Sequence, residues 1–99
     1  MSPTRIRLHP EAAADAEHAA NWYAERSVSA AKGVLAELNL VLGRVVENPV
    51  RWPKYKLGAR RYVFPRYPFS LVYRIMDDDI EVIAVAHHRR RQDYWTRRQ

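Results

Sequence analysis

The sequence predicts a two-layer α+β domain: an antiparallel helical hairpin packed on one face of a mainly antiparallel four-stranded sheet, in the order β-α-α-β-β-β. Three observations point there. Apolar residues recur at helical spacing over two stretches of the first half. They alternate, or run continuously over a few residues, in the second half. The chain has 99 residues, enough for one domain with one two-layer core, so residues 1–99 are read as a single unit. The hairpin has an apolar stripe to bury and the sheet a face to cover. Packing one on the other meets both needs and leaves the opposite sheet face and its C-terminal rim open.

Residues 4–8 alternate, with Arg5 and Arg7 on one side and Ile6 and Leu8 on the other, as in a short half-buried strand. His9-Pro10-Glu11 then opens a helix. Proline suits the first helical position, and a carboxylate is stabilised at the positive end of the helix dipole. From Glu11 to about Arg26 the face Ala12, Ala16, Ala19, Ala20, Tyr23 is apolar, and Asp15, His18, Asn21 and Glu25 are placed on the other side. Ser27-Val28-Ser29 is a break of cap-type residues. A second helix follows from about Ser29 to Glu47, with the stripe Ala31, Val34, Leu35, Leu38, Leu42, Val45, and Asn48-Pro49 stops it because proline disfavours a helical residue before it. So short a link makes the two helices antiparallel.

Arg51–Lys56 is a basic and aromatic loop, and Leu57-Gly58 a turn. Arg60–Phe64 forms the second strand. Phe69–Met76 forms the third, with Phe69, Leu71, Tyr73 and Ile75 on one face. Asp77-Asp78-Asp79 turns the chain into the fourth strand, Ile80–His87, which is apolar on both faces in its middle and so central in the sheet. Asp93–Arg98 adds a helical turn or stays irregular.

There is no cysteine, which excludes disulfides, thiolate catalysis and cysteine-ligated zinc, and is compatible with a cytoplasmic life. No apolar run approaches the roughly 20 residues of a membrane helix, so no membrane role is expected. The formal charge of +6 is unevenly placed. Residues 1–50 carry five Lys/Arg and six Asp/Glu; residues 51–99 carry twelve and five. A basic half beside a near-neutral half points to an anionic partner, either nucleic acid or an acidic polypeptide.

The charge gathers at the end of the fourth strand, in His87-His88-Arg89-Arg90-Arg91 and the following Tyr94-Trp95. Neighbours on a strand face opposite ways. His87 is thus expected to share a face with Glu81, Ile83 and Val85, and His88 with Val82, Ala84 and Ala86. Adjacent arginines favour the neutral, base-competent imidazole. A histidine base, Arg89 as phosphate clamp and Tyr94 as acid are the parts required for attack by a 2′-hydroxyl on its neighbouring phosphodiester. The same residues also suit a binding rim. Arg60, Arg61 and Arg66 can track a phosphate backbone, or can shield a strand edge from aggregation. Trp95 can stack on a partner or fold the tail onto the sheet. Arg74, in mid-strand, is expected to be half-buried beside an acid. No spacing of ligands suggests a metal, and no cofactor is expected.

The element order, Asn48-Pro49, Leu71-Val72-Tyr73-Arg74-Ile75 and the ending Ala86-His87-His88-Arg89-Arg90 together resemble the RelE/ParE toxin superfamily of type II toxin–antitoxin systems, over almost the whole chain. The resemblance implies a small bacterial toxin, often plasmid-stabilising, neutralised by an antitoxin that wraps an acidic, partly disordered segment over it in a hetero-oligomer. RelE-like members cut messenger RNA on the ribosome without metal; ParE-like members inhibit DNA gyrase. Arg89 matches a RelE-like arginine and Tyr94 approximately matches its tyrosine, while Lys54 and Lys56 only loosely echo the lysine-rich loop. Ser70 stands where a further arginine is expected. The resemblance therefore leans to a ParE-like growth inhibitor that does not cleave. On that reading Arg60, Arg61, Arg66, His87, Arg90, Arg91 and Trp95 meet target or antitoxin, while His88, Arg89 and Tyr94 are catalytic only under the ribonuclease alternative.

Overall fold

The computed structural model describes residues 5–98. The elements are β1 (Arg5–Leu8), α1 (Pro10–Ala24), α2 (Val28–Glu47), β2 (Arg60–Val63), β3 (Phe69–Met76) and β4 (Asp79–His87), with a single 3₁₀ turn at Lys56–Gly58. Thr4, assigned above to the first strand, lies outside the described residues. The sheet order is β1-β4-β3-β2, with β4 interior as expected; β1 runs parallel to β4 and the other pairs are antiparallel.

Local chemistry accounts for the element ends. His9 caps α1, its ring Nδ1 accepting the Glu11 N–H at 3.0 Å, and Pro10 opens the helix. Ser27 caps α2 by accepting the Ala30 N–H at 3.2 Å. Asn48 ends α2, and the chain leaving through Pro49 is held by the buried Tyr73, whose hydroxyl donates to the Pro49 carbonyl at 2.7 Å. Burial pushes the Tyr73 phenol up to about 12, against the opposing pull of Arg60. Leu57 and Gly58 both take positive φ, and no neighbouring atom crowds the glycine, so its role there is conformational.

The main core lies between hairpin and sheet. Phe69, Leu71 and Tyr73 of β3 and Ile80, Val82 and Val85 of β4 face Val34, Leu38, Val41 and Val45 of α2. Two expectations for the helices are corrected. Leu35 is not on the buried stripe but 42% exposed, and Val41, three residues after the buried Leu38, is fully buried instead. Asp15, expected on the open side of α1, is buried between Ala12 and Ala19. Glu37 is also buried: its Oε1 accepts the N–H groups of Arg66 and Tyr67 at 3.1 and 2.9 Å and so holds the loop before β3 against α2.

A bulge corrects the face assignment of β4. Val72 pairs with Ala84 and Tyr73 with Val82, leaving Ile83 as the extra residue. Strict alternation past Val82 is broken there. Ile83 and Ala84 both pack on the far side, with Val72, Ala59 and Trp95, and Val85 returns to the helical side. Arg74 is half-buried, and its guanidinium meets Glu81 at 3.2 Å, as expected.

Candidate functional site

The site grows from an imbalance in strand length. β1 pairs with β4 only as far as Val82, and the His9 N–H donates to the Val82 carbonyl at 2.8 Å to close that ladder. Beyond it the β4 edge has backbone groups to satisfy. Side chains supply two of them. Asp15 of α1 accepts the Val85 N–H at 3.1 Å, and Arg98 donates to the Ile83 carbonyl at 3.0 Å. These two residues also join each other, Arg98 Nη1 to Asp15 Oδ2 at 2.6 Å and Nη2 to Oδ1 at 3.1 Å, with both side chains below a tenth exposed. The Tyr94 hydroxyl donates to the same Oδ2 at 3.0 Å, and Arg90 stands 3.7 Å from Oδ1. Asp15 is therefore a latch that binds the last residues of the chain to α1 and to the sheet.

The latch turns Trp95 under the sheet. Its ring is 3% exposed and packs with Ala59, Val72, Ile83 and Ala84, with Tyr55 beside it at 6.0 Å between ring centres. The far face is thus not bare along its length, as the sequence suggested, but closed in the middle by a second, smaller core. Trp95 belongs to that core and offers no free ring to a partner. Residues 92–97 are irregular turns lying on the body.

Around this closed patch the basic end stays accessible, with two clefts. One, of about 700 Å³, lies on the helical side between α1 and the end of β4. It is lined by His18, Trp22 and Tyr23 on one wall and Phe69, His87 and Arg89 on the other. The second, of about 230 Å³, lies on the far face, with Ser70, Val72 and Ala86 as floor and Arg61, His88 and Arg91 at the rim.

The two histidines diverge, as expected of neighbours at a strand end. His87 sets its ring edge-on to Phe69, 5.1 Å between centres, and its Nδ1 accepts the Arg89 N–H at 3.0 Å. Burial, with Arg89 and His88 adding to it, lowers its pKa, so the neutral ring is favoured. His88 turns to the far face, where its Nε2 meets Ser70 Oγ at 3.0 Å.

The other basic residues divide by role. Arg60 is not a free cation: its Nη1 holds the carbonyls of Val50 and Trp52 at 3.0 and 2.7 Å and closes the loop before β2. Arg90 stacks 3.7 Å above the Tyr94 ring. Arg61 lies over Tyr55 at 4.6 Å, Arg66 is exposed, and Arg91 is exposed with Asp93 at 3.8 Å. The proposed catalytic trio is not assembled. His88 turns toward Ser70, the Tyr94 hydroxyl is committed to Asp15, and neither cleft is lined by His88, Arg89 and Tyr94 together. Burial, then the charge of Asp15, raises the Tyr94 pKa well above that of a free phenol.

Two residues not read from the sequence as site residues, Asp15 and Ser70, prove central. Asp15 stands three residues after Ala12 and four before Ala19, which is core spacing, and only its charge argued otherwise. Ser70 alternates with the helix-facing Phe69 and Leu71 and so had to face away from the helices. Among the described residues no three His, Asp or Glu side chains gather as metal ligands, and no helix is long and apolar enough to cross a membrane.

Comparison with known proteins agrees with this architecture. A solved structure described as the chromosomal ParDE TA system from P. aeruginosa matches with a TM-score of 0.77 and 17% identity, covering 86% of this chain and 96% of that one, a likeness of fold. No curated protein matches the chain. The family model for the ParE toxin of type II toxin–antitoxin system, parDE, matches residues 6–92. That span takes in every helix and strand but for Arg5, and the basic end of β4, and the chain belongs to the ParE toxin family.

Proposed function

We propose that this toxin arrests growth without cleaving RNA, with DNA gyrase as its target and an acidic, partly disordered antitoxin segment as its neutralising partner. One observation carries the choice against cleavage: the Tyr94 hydroxyl is bonded to the buried Asp15 carboxylate, and Tyr94 lines neither cleft. A phenol held by an anion and raised in pKa is a poor proton donor to a leaving oxygen, and His88 has no acid partner within its cleft. Membership of the ParE family supports gyrase as the target, and the basic end of β4 supports an acidic partner, which would neutralise Arg89, Arg90 and Arg91 while covering the apolar cleft behind them.

Induced expression with two reporters run side by side tests the reading. A gyrase inhibitor switches on the DNA-damage response and filaments the cells before protein synthesis falls. A ribosome-dependent ribonuclease stops translation within minutes and leaves cut messages, and that result would replace this reading. Co-expression with the product of the neighbouring small gene is expected to restore growth and raise the toxin's solubility; no gain from it would remove the partner assignment.

A further inference from the structure

The far-face cleft has chemistry that the toxin reading does not use. It holds about 230 Å³, just below the roughly 300–1,000 Å³ of drug-sized ligand pockets. Its lining has two halves. One is apolar and flat: Tyr55, Val63, Val72, Ala86 and the edge of Trp95. The other is cationic and polar, with Arg61, His88, Arg91 and Gln92 around the Ser70 hydroxyl, and no acidic side chain lines the cleft. Arg61 enters none of the ion pairs found among the described residues, and its guanidinium lies 4.6 Å from the centre of the Tyr55 ring. Its planar fork of donors therefore has no anion of the chain's own to bind.

Ser70 is 3% exposed and sits on the cleft floor, hydrogen-bonded to His88 Nε2 at 3.0 Å. When the ring nitrogen donates to Oγ, the hydroxyl hydrogen is free to point into the cleft. The Ser70 hydroxyl and the guanidinium groups then present several donors to one oxyanion, while the His88 N–H orients that hydroxyl. The bulge at Ile83 sets the register that puts the small Ala86, paired with Ser70, on the cleft floor.

We propose that this cleft binds a phosphate monoester carried on a single ring, a mononucleotide being the general case. Arg61 and Arg91 hold the phosphate from the rim, Ser70, oriented by His88, donates to it from the floor, and the ring lies along Tyr55 and Val72. The site goes beyond gyrase inhibition and does not depend on it.

The test is a titration of the isotope-labelled 99-residue chain with AMP, adenosine and inorganic phosphate, followed by NMR at the His88 ring and the Ser70 amide. AMP is expected to give saturable shifts at both, binding at least tenfold more tightly than adenosine and more tightly than phosphate alone. Ser70→Ala and Arg61→Gln are each expected to weaken AMP several-fold while the rest of the spectrum stays in place. Arg51→Gln, a cation outside the cleft, is the control and should change nothing. Equal affinity for AMP and adenosine would remove the phosphate subsite, and equal affinity for AMP and phosphate would remove the ring. An Arg51→Gln loss matching that of Arg61→Gln, or shifts that never saturate, would reduce the site to diffuse basic charge and overturn the proposal.

Discussion

On one face of the sheet two helices lay down a continuous aliphatic layer. On the other, one tryptophan, two tyrosines and an alanine, brought in by the loop before β2 and the C-terminal tail, close a patch a few residues wide. The first face is secured by area, since burying apolar surface contributes about 25 cal/mol per Å² wherever it occurs. The second is secured by position: Trp95 stays over Ile83 and Ala84 only while Asp15 holds Tyr94 and Arg98. The difference teaches that the cationic end of β4 is left accessible by a small locked lid rather than by the absence of any cover. Regions of this kind open at lower free energy than a main core.

Five substitutions probe the contrast. The largest effect is expected from Trp95→Ala, at about 3–5 kcal/mol of unfolding free energy, alongside about 2–5 kcal/mol for Leu71→Ala on the helical face. Urea titration measures both. A Trp95→Ala cost within about 0.5 kcal/mol would mean that the ring lies free on the surface. Asp15→Asn comes next, at roughly 1–3 kcal/mol, because it keeps the shape of the latch but leaves the Arg98 charge with only the exposed Glu11, 3.8 Å away, as counter-ion. Hydrogen exchange is expected to quicken at the Val85 amide while amides within β3 keep their protection, and uniform quickening would show that lid and core open as one unit.

Tyr94→Phe removes one hydrogen bond to a carboxylate and should cost about 1.5–3 kcal/mol at most. Growth arrest is expected to survive it, whereas a ribonuclease that used this phenol would be silenced. The smallest effect is on pH dependence. The folded-state pKa of His87 lies below the roughly 6.5 of an unfolded imidazole, so between those two values the unfolded chain binds more protons. Stability therefore falls as pH drops through 6.5 toward the folded pKa, and levels off below it. The Arg89 N–H to Nδ1 bond requires that neutral nitrogen. His87→Gln should flatten this part of the profile in denaturant titrations at a series of pH values, and an unchanged slope would place the titration elsewhere.

Most of the fold was legible from local signals. His9-Pro10 and Ser27 cap the helices where their residue types say they should, Asn48-Pro49 ends α2, and alternation in Phe69–Tyr73 gives the helix-facing side of β3. What was not legible depends on distant partners. Asp15 follows core spacing, yet nothing near it in sequence reveals that Arg98 and Tyr94 neutralise it across more than seventy residues. The bulge at Ile83 moved the faces of β4 because the register is set by β3 and not by β4's own pattern. For the site, the basic run at residues 87–91 identified the right end of the molecule. Roles within it were less readable, because Arg60, Arg90 and Trp95 are engaged by groups of this same chain.

The most direct test of the central claim is supercoiling of relaxed plasmid by purified gyrase in the presence of the chain, with a translating ribosome reaction run in parallel. Supercoiling is expected to fall in proportion to added toxin while messages stay whole. Unimpaired supercoiling together with messages cut on the ribosome would contradict it.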